Sequence, residues 1–165
     1  MIWVPQEKVG KGEVTLKVED VMTMEVITID ENASVKEAAD VMNQYAIGCL
    51  IAVRKGKAKG IITERDLLKR VIVEGKNAKK TKIGEVMSSP LEVVAPGTSL
   101  EEALQLMFQK KIKKLPVVEK NRLLGVVSLT DIARCQPAII KILKSFAMAQ
   151  DTPKSMKKVL DYYIV

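Results

Sequence analysis

The stretch GIITERD at residues 60–66 recurs as GVVSLTD at residues 125–131, with glycine, a hydroxyl residue and aspartate at matching positions. The offset of 65 residues also relates Met22 to Met87. Between Met22 and the GIITERD stretch, further residues are identical to those 65 positions later: Ser34 and Ser99, Glu37 and Glu102, Ala38 and Ala103, Met42 and Met107, and Leu50 and Leu115. Such self-similarity indicates a repeated structural unit. Because a unit of this size buries little surface alone, we expect two copies of one small domain that share a core and bind a ligand between them.

The composition is that of a globular protein, with 47% apolar and 28% charged residues in a chain of 165. No apolar run approaches the roughly 18 residues of a membrane span, and the first residues lack the pattern of a signal peptide. Cys49 and Cys135 are far apart, which gives neither a disulfide framework nor a metal-ligand spacing. We therefore expect a cytoplasmic protein with no membrane association, no metal and no required cofactor.

The charge is basic, with 27 Lys and Arg residues against 20 Asp and Glu residues and a net charge of +7. Lysines cluster at residues 55–59, 79–82 and 110–114. Such an excess raises the affinity for anions, from nucleotides to nucleic acid. A solvated lysine-rich surface with no ligand is the alternative interpretation.

Each copy predicts the same order of elements, strand, helix, strand, strand and helix. Strand-like residues at 26–29 and 91–94 precede Ser34 and Ser99, and each serine is followed three residues later by glutamate, the capping box of a helix start. Hairpins follow, with first strands at 49–53 and 115–118, and second helices start at Thr63 and Ser128. The predicted fold class is α/β (α+β), with two β-α-β-β-α repeats that each contain a three-stranded sheet. Pro116 indicates an edge or strand-start position.

The repeat also predicts the division of the chain. We expect an N-terminal extension at 1–17, a first domain at 18–75, a linker at 76–82, a second domain at 83–135 and a C-terminal helical extension at 136–165. Apolar residues at helical spacing over 138–148 would cover the core of the protein or join two copies of it.

The repeated Val-Met-(Thr/Ser), the Leu-Pro-Val-Val at residues 115–118 and the repeated Gly-apolar-apolar-(Thr/Ser)-x-x-Asp resemble the cystathionine-β-synthase (CBS) domain. Two such domains in tandem resemble a CBS pair, and the resemblance covers residues 18–134. It implies two domains packed sheet to sheet about a pseudo-twofold axis. It also implies two equivalent clefts, where family members hold AMP, ADP, ATP or S-adenosylmethionine as regulatory ligands, and assembly into a homodimer.

The resemblance implies the site residues as well. In the family, the motif aspartate contacts ribose hydroxyls, the Thr or Ser contacts ribose or phosphate, and the strand before the hairpin meets the edge of the base. The neighbouring residue Arg65, with Thr130 at its counterpart, is a further candidate because a guanidinium reaches phosphate. The candidate ligand-binding residues of this chain are Thr63, Arg65, Asp66, Gly48, Cys49 and Leu50 in the first repeat, and Ser128, Thr130, Asp131, Lys114, Leu115 and Pro116 in the second.

The chemistry of these residues supports the assignment. A carboxylate accepts a hydrogen bond from each hydroxyl of a ribose diol, and charged acceptors form the stronger bonds. A Thr or Ser at a helix start lies among free backbone N–H groups that favour phosphate. The alternative is that Thr63/Asp66 and Ser128/Asp131 only cap helices. The first helices of the two repeats have glutamate at the third position of the capping box, whereas the second helices have the shorter aspartate. We therefore expect the aspartate boxes to be poorer caps, which favours ligand binding. Capping and ligand binding can also occur together.

Catalysis has no support in the sequence. The chain has no His, no nucleophile paired with a base and no Walker-type phosphate loop. Cys49 lies in an apolar strand and is expected in the core. Met22 and Met87 are expected to pack, and the alternative is that they line a base pocket. We therefore predict a non-enzymatic sensor of an adenosyl ligand that acts on an unknown protein partner. The alternative is a nucleic-acid-binding or dimerisation scaffold that uses the basic surface and the C-terminal tail.

One prediction concerns Arg65. If its guanidinium contacts phosphate, the first cleft prefers ATP over AMP, and Arg65→Glu reduces that preference because it reverses the charge. Titration calorimetry with both nucleotides measures the ratio. An unchanged ratio in the variant contradicts the role assigned to Arg65.

Overall fold

The structure, a computed structural model, describes residues 16–135. The first repeat contains α1 (Val18–Val21), β1 (Thr28–Asp30), α2 (Val35–Tyr45), β2 (Cys49–Arg54), β3 (Lys57–Thr63) and α3 (Glu64–Leu67), which continues into a π-helical turn at Leu68–Ile72. The second contains α4 (Ile83–Val86), α5 (Leu100–Lys110), β4 (Lys114–Glu119), β5 (Arg122–Ser128) and α6 (Leu129–Cys135). The predicted α+β class is confirmed.

The long helices begin where the capping boxes predict. The Ser34 Oγ accepts a hydrogen bond from the Glu37 backbone N–H at 3.2 Å, and a Glu37 carboxylate oxygen accepts one from the Ser34 N–H at 2.7 Å. Ser99 and Glu102 form the same box before α5. Each box satisfies N–H groups that have no partner inside the helix.

The two sheets differ in strand number. In the first, β1 pairs parallel with β2, and β2 pairs antiparallel with β3. In the second, β4 and β5 form an antiparallel hairpin, and the third strand is reduced to a single bridge between Val94 and Val117. The prediction of three strands is therefore right for the first repeat and wrong for the second.

Two prolines explain this difference. In the first repeat, the Ile51 N–H donates to the Ile27 carbonyl at 3.4 Å and the Glu31 N–H donates to the Val53 carbonyl at 3.0 Å. Pro116 and Pro96 stand at the positions of Ile51 and Glu31 in the second repeat. Proline has no N–H, so both of these bonds are lost beside the Val94 bridge. The edge position predicted for Pro116 follows from the same loss.

The cores are built by an exchange of segments. One buried cluster contains residues of the first repeat together with Ile83 and Val86 of α4, which are at most 1% exposed. The other contains residues of the second repeat together with Val18 of α1, which is fully buried. Each repeat thus completes the core of the other, and the structure has two cores in place of the one shared core that we expected.

The residues after these short helices pair with a strand of the opposite repeat. Ile61 in β3 and Ser88 exchange both backbone hydrogen bonds, at 3.0 and 2.8 Å, and Val126 in β5 does so with Thr23 at 3.0 and 2.9 Å. Gly60 permits this approach, because a Cβ there would lie 2.4 Å from the Met87 sulfur and 2.9 Å from the Ser88 carbonyl oxygen. The equal contacts on the two sides show the pseudo-twofold relation of the repeats.

Part of the predicted organisation falls outside residues 16–135. The C-terminal helical extension at 136–165 lies there, as does nearly all of the N-terminal extension. Within the part that the structure describes, none of the helices has the length and apolar character needed to cross a bilayer.

The close approach of Met87 and Ser88 to Gly60 predicts that a methyl group at this position destabilises the protein. Gly60→Ala should lower the free energy of unfolding by about 1–3 kcal/mol, because the methyl clashes with a backbone carbonyl that cannot move without breaking the Ile61–Ser88 pairing. Gly97→Ala is the matched control, because a Cβ at that position meets nothing within 4 Å. Urea denaturation of the three proteins measures the difference, and equal stability of the two variants contradicts the close approach.

Candidate functional site

The two candidate motifs occupy equivalent helix starts. Thr63 ends β3 and precedes α3, and its backbone N–H and hydroxyl donate to one oxygen of Asp66, Oδ2, at 2.9 and 2.7 Å. Ser128 ends β5 and makes the same two bonds to Asp131 Oδ2, at 3.0 and 2.5 Å. The four predicted residues therefore lie as two matched pairs, each at the junction of a strand and a helix.

Both aspartates form complete capping boxes. The Asp66 N–H donates back to the Thr63 hydroxyl at 3.3 Å, and the Asp131 N–H donates to the Ser128 hydroxyl at 3.1 Å. These lengths match those of the glutamate boxes, so the expectation that aspartate makes a poorer box is wrong. The backbone turn brings N–H and carboxylate together closely enough for the shorter side chain. In each aspartate, capping occupies Oδ2, and Oδ1 is the second acceptor of the carboxylate.

The strand stretches predicted to meet the base lie beside the motifs. Cys49 pairs with Thr63 across the first hairpin, and Lys114 pairs with Ser128 across the second. The Gly48 carbonyl accepts a hydrogen bond from the Glu64 N–H at 3.3 Å. The structure thus brings each stretch to the start of its own helix.

Only part of each stretch is accessible. Leu50 and Leu115 are fully buried, and Pro116 is buried as well. Their side chains belong to the interior, so they can meet a ligand only through the backbone. Gly48, Cys49 and Lys114 are half-buried and remain available.

The opposite repeat contributes residues to each candidate cleft, and of these the sequence offered Met22 and Met87 as possible lining of a base pocket but did not single out Thr23 and Ser88. Met87 and Ser88 lie against β3 just before Thr63, and Met22 and Thr23 lie against β5 just before Ser128. Each candidate cleft therefore combines a motif from one repeat with a segment from the other. The matched positions of Met22 and Met87 show in the sequence, but nothing in the sequence says which repeat each one contacts.

The first cleft carries a cation that the sequence analysis did not single out. The Arg70 guanidinium donates to the Val86 carbonyl at 2.6 Å and to the Ser88 hydroxyl at 3.1 Å, and it lies 3.4 Å from Asp66 Oδ1. Cys135 stands at the corresponding position of the second repeat. The predicted candidate Arg65 is exposed, and its counterpart Thr130 is half-buried.

Cys49 lies beside two charged groups. Burial raises the pKa of its thiol above the ordinary value, the nearby Lys114 ammonium offsets part of the rise, and Glu64 adds to it. A thiol with a raised pKa is a poor nucleophile at neutral pH. The thiol is half-buried and belongs to neither core cluster, so the expectation that Cys49 lies in the core is wrong.

A groove of about 470 Å³ lies between α2 and α3. It is lined by Ala39, Met42, Asn43, Ala46, Glu64 and Leu67. Its one charged side chain is a carboxylate, which does not favour a phosphate, and neither motif aspartate lines it. Across residues 16–135, the His, Cys, Asp and Glu side chains form no cluster suited to a metal ion.

Comparison with known proteins identifies the repeats. The family model of the CBS domain matches residues 18–73 and 83–137. The CBS domain-containing protein YhcV of Bacillus subtilis is 41% identical over 116 residues, which cover 70% of this chain and 82% of that protein.

Solved structures agree. The CBS domain pair of protein MJ0100, in complex with 5′-methylthioadenosine and S-adenosyl-L-methionine, has a TM-score of 0.67 and 29% identity, over 73% of this chain and 94% of that one. The hexameric CBS-CP12 protein from bloom-forming cyanobacteria has a TM-score of 0.71 and 27% identity, over 93% and 99% of the two chains. With two family matches over its two repeats, this chain belongs to the CBS domain family and carries two CBS domains in tandem.

Proposed function

We propose that this protein is a regulatory module that binds adenosine-containing ligands, AMP, ADP, ATP or S-adenosylmethionine, in two clefts between its CBS domains. One cleft is centred on Asp66 and the other on Asp131. The ligand acts as a signal and not as a substrate, and the proposal includes no catalysis.

The placement of the two aspartates carries the proposal. Each carboxylate uses Oδ2 for the helix cap, and a carboxylate has further lone pairs on Oδ1. A ribose hydroxyl can therefore bind without displacing the cap. Each aspartate also lies near a segment of the opposite repeat, so a ligand would contact both domains at once.

The MJ0100 neighbour supports the class of ligand. Its CBS domain pair is a complex with two adenosyl compounds. Because that chain and this one share the fold over most of their lengths, we extend adenosyl binding to this chain as part of the proposal. The individual contacts of Thr63, Arg65, Ser128 and Thr130 stay predictions.

Self-association is a further part of the proposal. The π-helical turn and its end expose Leu68, Ile72 and Val73, which are 56%, 67% and 76% exposed. Neighbouring apolar side chains on one helix are typical of an association surface. The predicted homodimer would bury them, and the CBS-CP12 neighbour is a hexamer.

Nucleic-acid binding remains the alternative function. The lysines at 55–59 and 79–82 are exposed, which fits an electrostatic surface for a polyanion. A steep loss of RNA or DNA binding with added salt would favour this alternative. The regulated protein partner and the expected cytoplasmic location stay predictions.

Titration calorimetry with AMP, ADP, ATP and S-adenosylmethionine tests the proposal. Asp66→Asn and Asp131→Asn should each weaken binding at one cleft by about tenfold or more, because a neutral acceptor replaces a charged one while the cap can still form.

The matched controls are Glu37→Gln and Glu102→Gln. These remove the same charge from the capping boxes of α2 and α5. If the aspartates only cap helices, all four variants lose similar stability and none changes ligand affinity. Absence of heat with every ligand, from folded protein, contradicts the proposed function.

A further inference from the structure

Arg70 joins three groups that belong to different parts of the fold. Its guanidinium contacts Asp66 of α3, the Val86 carbonyl and the Ser88 hydroxyl. Val86 ends α4 and Ser88 pairs with Ile61, so both belong to the exchanged segment of the second repeat. One side chain thus connects the candidate ligand carboxylate to the segment that completes the first core.

The oxygen that Arg70 approaches is the one that a ligand needs. Asp66 Oδ2 is taken by the Thr63 N–H and hydroxyl, and the guanidinium lies 3.4 Å from Oδ1. The Asp66 side chain is 14% exposed, so it is within reach of a small molecule but has little free surface to offer. A ribose hydroxyl on Oδ1 would therefore lie beside the guanidinium and draw on the same negative charge that holds the ion pair.

The local backbone sets Arg70 in this position. Leu68–Ile72 form a π-helical turn, in which the Val73 N–H donates to the Leu68 carbonyl at 3.0 Å. Such turns interrupt regular helices and are frequent at functional sites. In the second repeat, Cys135 stands at the position of Arg70, and its thiol cannot bridge three acceptors as a guanidinium does.

We propose, on the basis of the function proposed above, that Arg70 is a positioning residue that couples the first cleft to the exchanged segment. In the empty protein it ties Asp66 to Val86 and Ser88. A ligand whose ribose takes Asp66 Oδ1 weakens this tie and loosens the segment at residues 83–89. The contacts of Arg70 in turn reduce the affinity for the ligand, because the coupling between ligand binding and these contacts is reciprocal. The second cleft lacks the arginine at this position, so the two clefts respond differently.

Hydrogen exchange measured by mass spectrometry tests the tie without any ligand. Amides of residues 83–89 should exchange faster in Arg70→Gln than in the wild type. Lys69→Gln is the control, because it removes an exposed charge from the same turn and leaves the three contacts in place. Equal exchange in the wild type and Arg70→Gln overturns the inference.

Calorimetry with adenosine tests the coupling, because adenosine offers a ribose without a phosphate that could itself attract the arginine. In an Asp131→Asn background, Arg70→Gln should bind adenosine about twofold to fivefold more tightly, the range expected for removal of one partly exposed ion pair. A variant that is merely damaged would bind more weakly. Adenosine should also speed exchange at residues 83–89 in the wild type and should have little further effect in Arg70→Gln.

The outcomes separate the two proposals. If adenosine binds the wild type and Arg70→Gln changes neither affinity nor exchange, the coupling is wrong and the proposed function stands. If adenosine, AMP and S-adenosylmethionine all fail to bind, the proposed function fails and the coupling fails with it.

Discussion

Two pairs of backbone hydrogen bonds, Ile61 with Ser88 and Val126 with Thr23, hold each repeat against a segment of the other. Both pairings require the chain to approach a glycine, since a Cβ at Gly60 or Gly125 would lie within 3.0 Å of a carbonyl oxygen. The exchange brings α1 and α4 into the opposite cores. It also places a wall from one repeat beside the motif of the other. The candidate clefts therefore exist only because the two repeats fold together.

The capping geometry is compatible with the binding role proposed for the same residues. Asp66 and Asp131 each use Oδ2 to start a helix, and Oδ1 is the oxygen to which the proposal assigns the ribose. Capping fixes the carboxylate before any ligand arrives, so little side-chain freedom remains to be lost on binding. The clefts then differ through their surroundings. Arg65 and Arg70 in the first repeat correspond to Thr130 and Cys135 in the second.

Local features could be predicted from the sequence, and contacts between the repeats could not. The helix starts at Ser34 and Ser99 and the hairpins follow from short-range patterns that involve a few neighbouring residues. Short-range patterns do not predict which core α4 packs against, because Val18 and Ile83 are equivalent in the repeat and either could pack on either core. The prediction that aspartate makes a poorer capping box was based on side-chain length alone. It was wrong because the backbone geometry decides whether both hydrogen bonds of the box can form. Pro96 and Pro116 are visible in the sequence, but their combined effect depends on the register of three strands. Arg70 follows Asp66 by four residues, a spacing that is common on helix surfaces, and its contact with Val86 spans 16 residues.

A crystal structure of the protein soaked with AMP or S-adenosylmethionine tests the central claim most directly. We expect ligand density between Asp66 and the Met87–Ser88 segment, or between Asp131 and the Met22–Thr23 segment, with the ribose on the carboxylate and contacts to both repeats. Density in the groove between α2 and α3, or on one repeat alone and away from both aspartates, would contradict it.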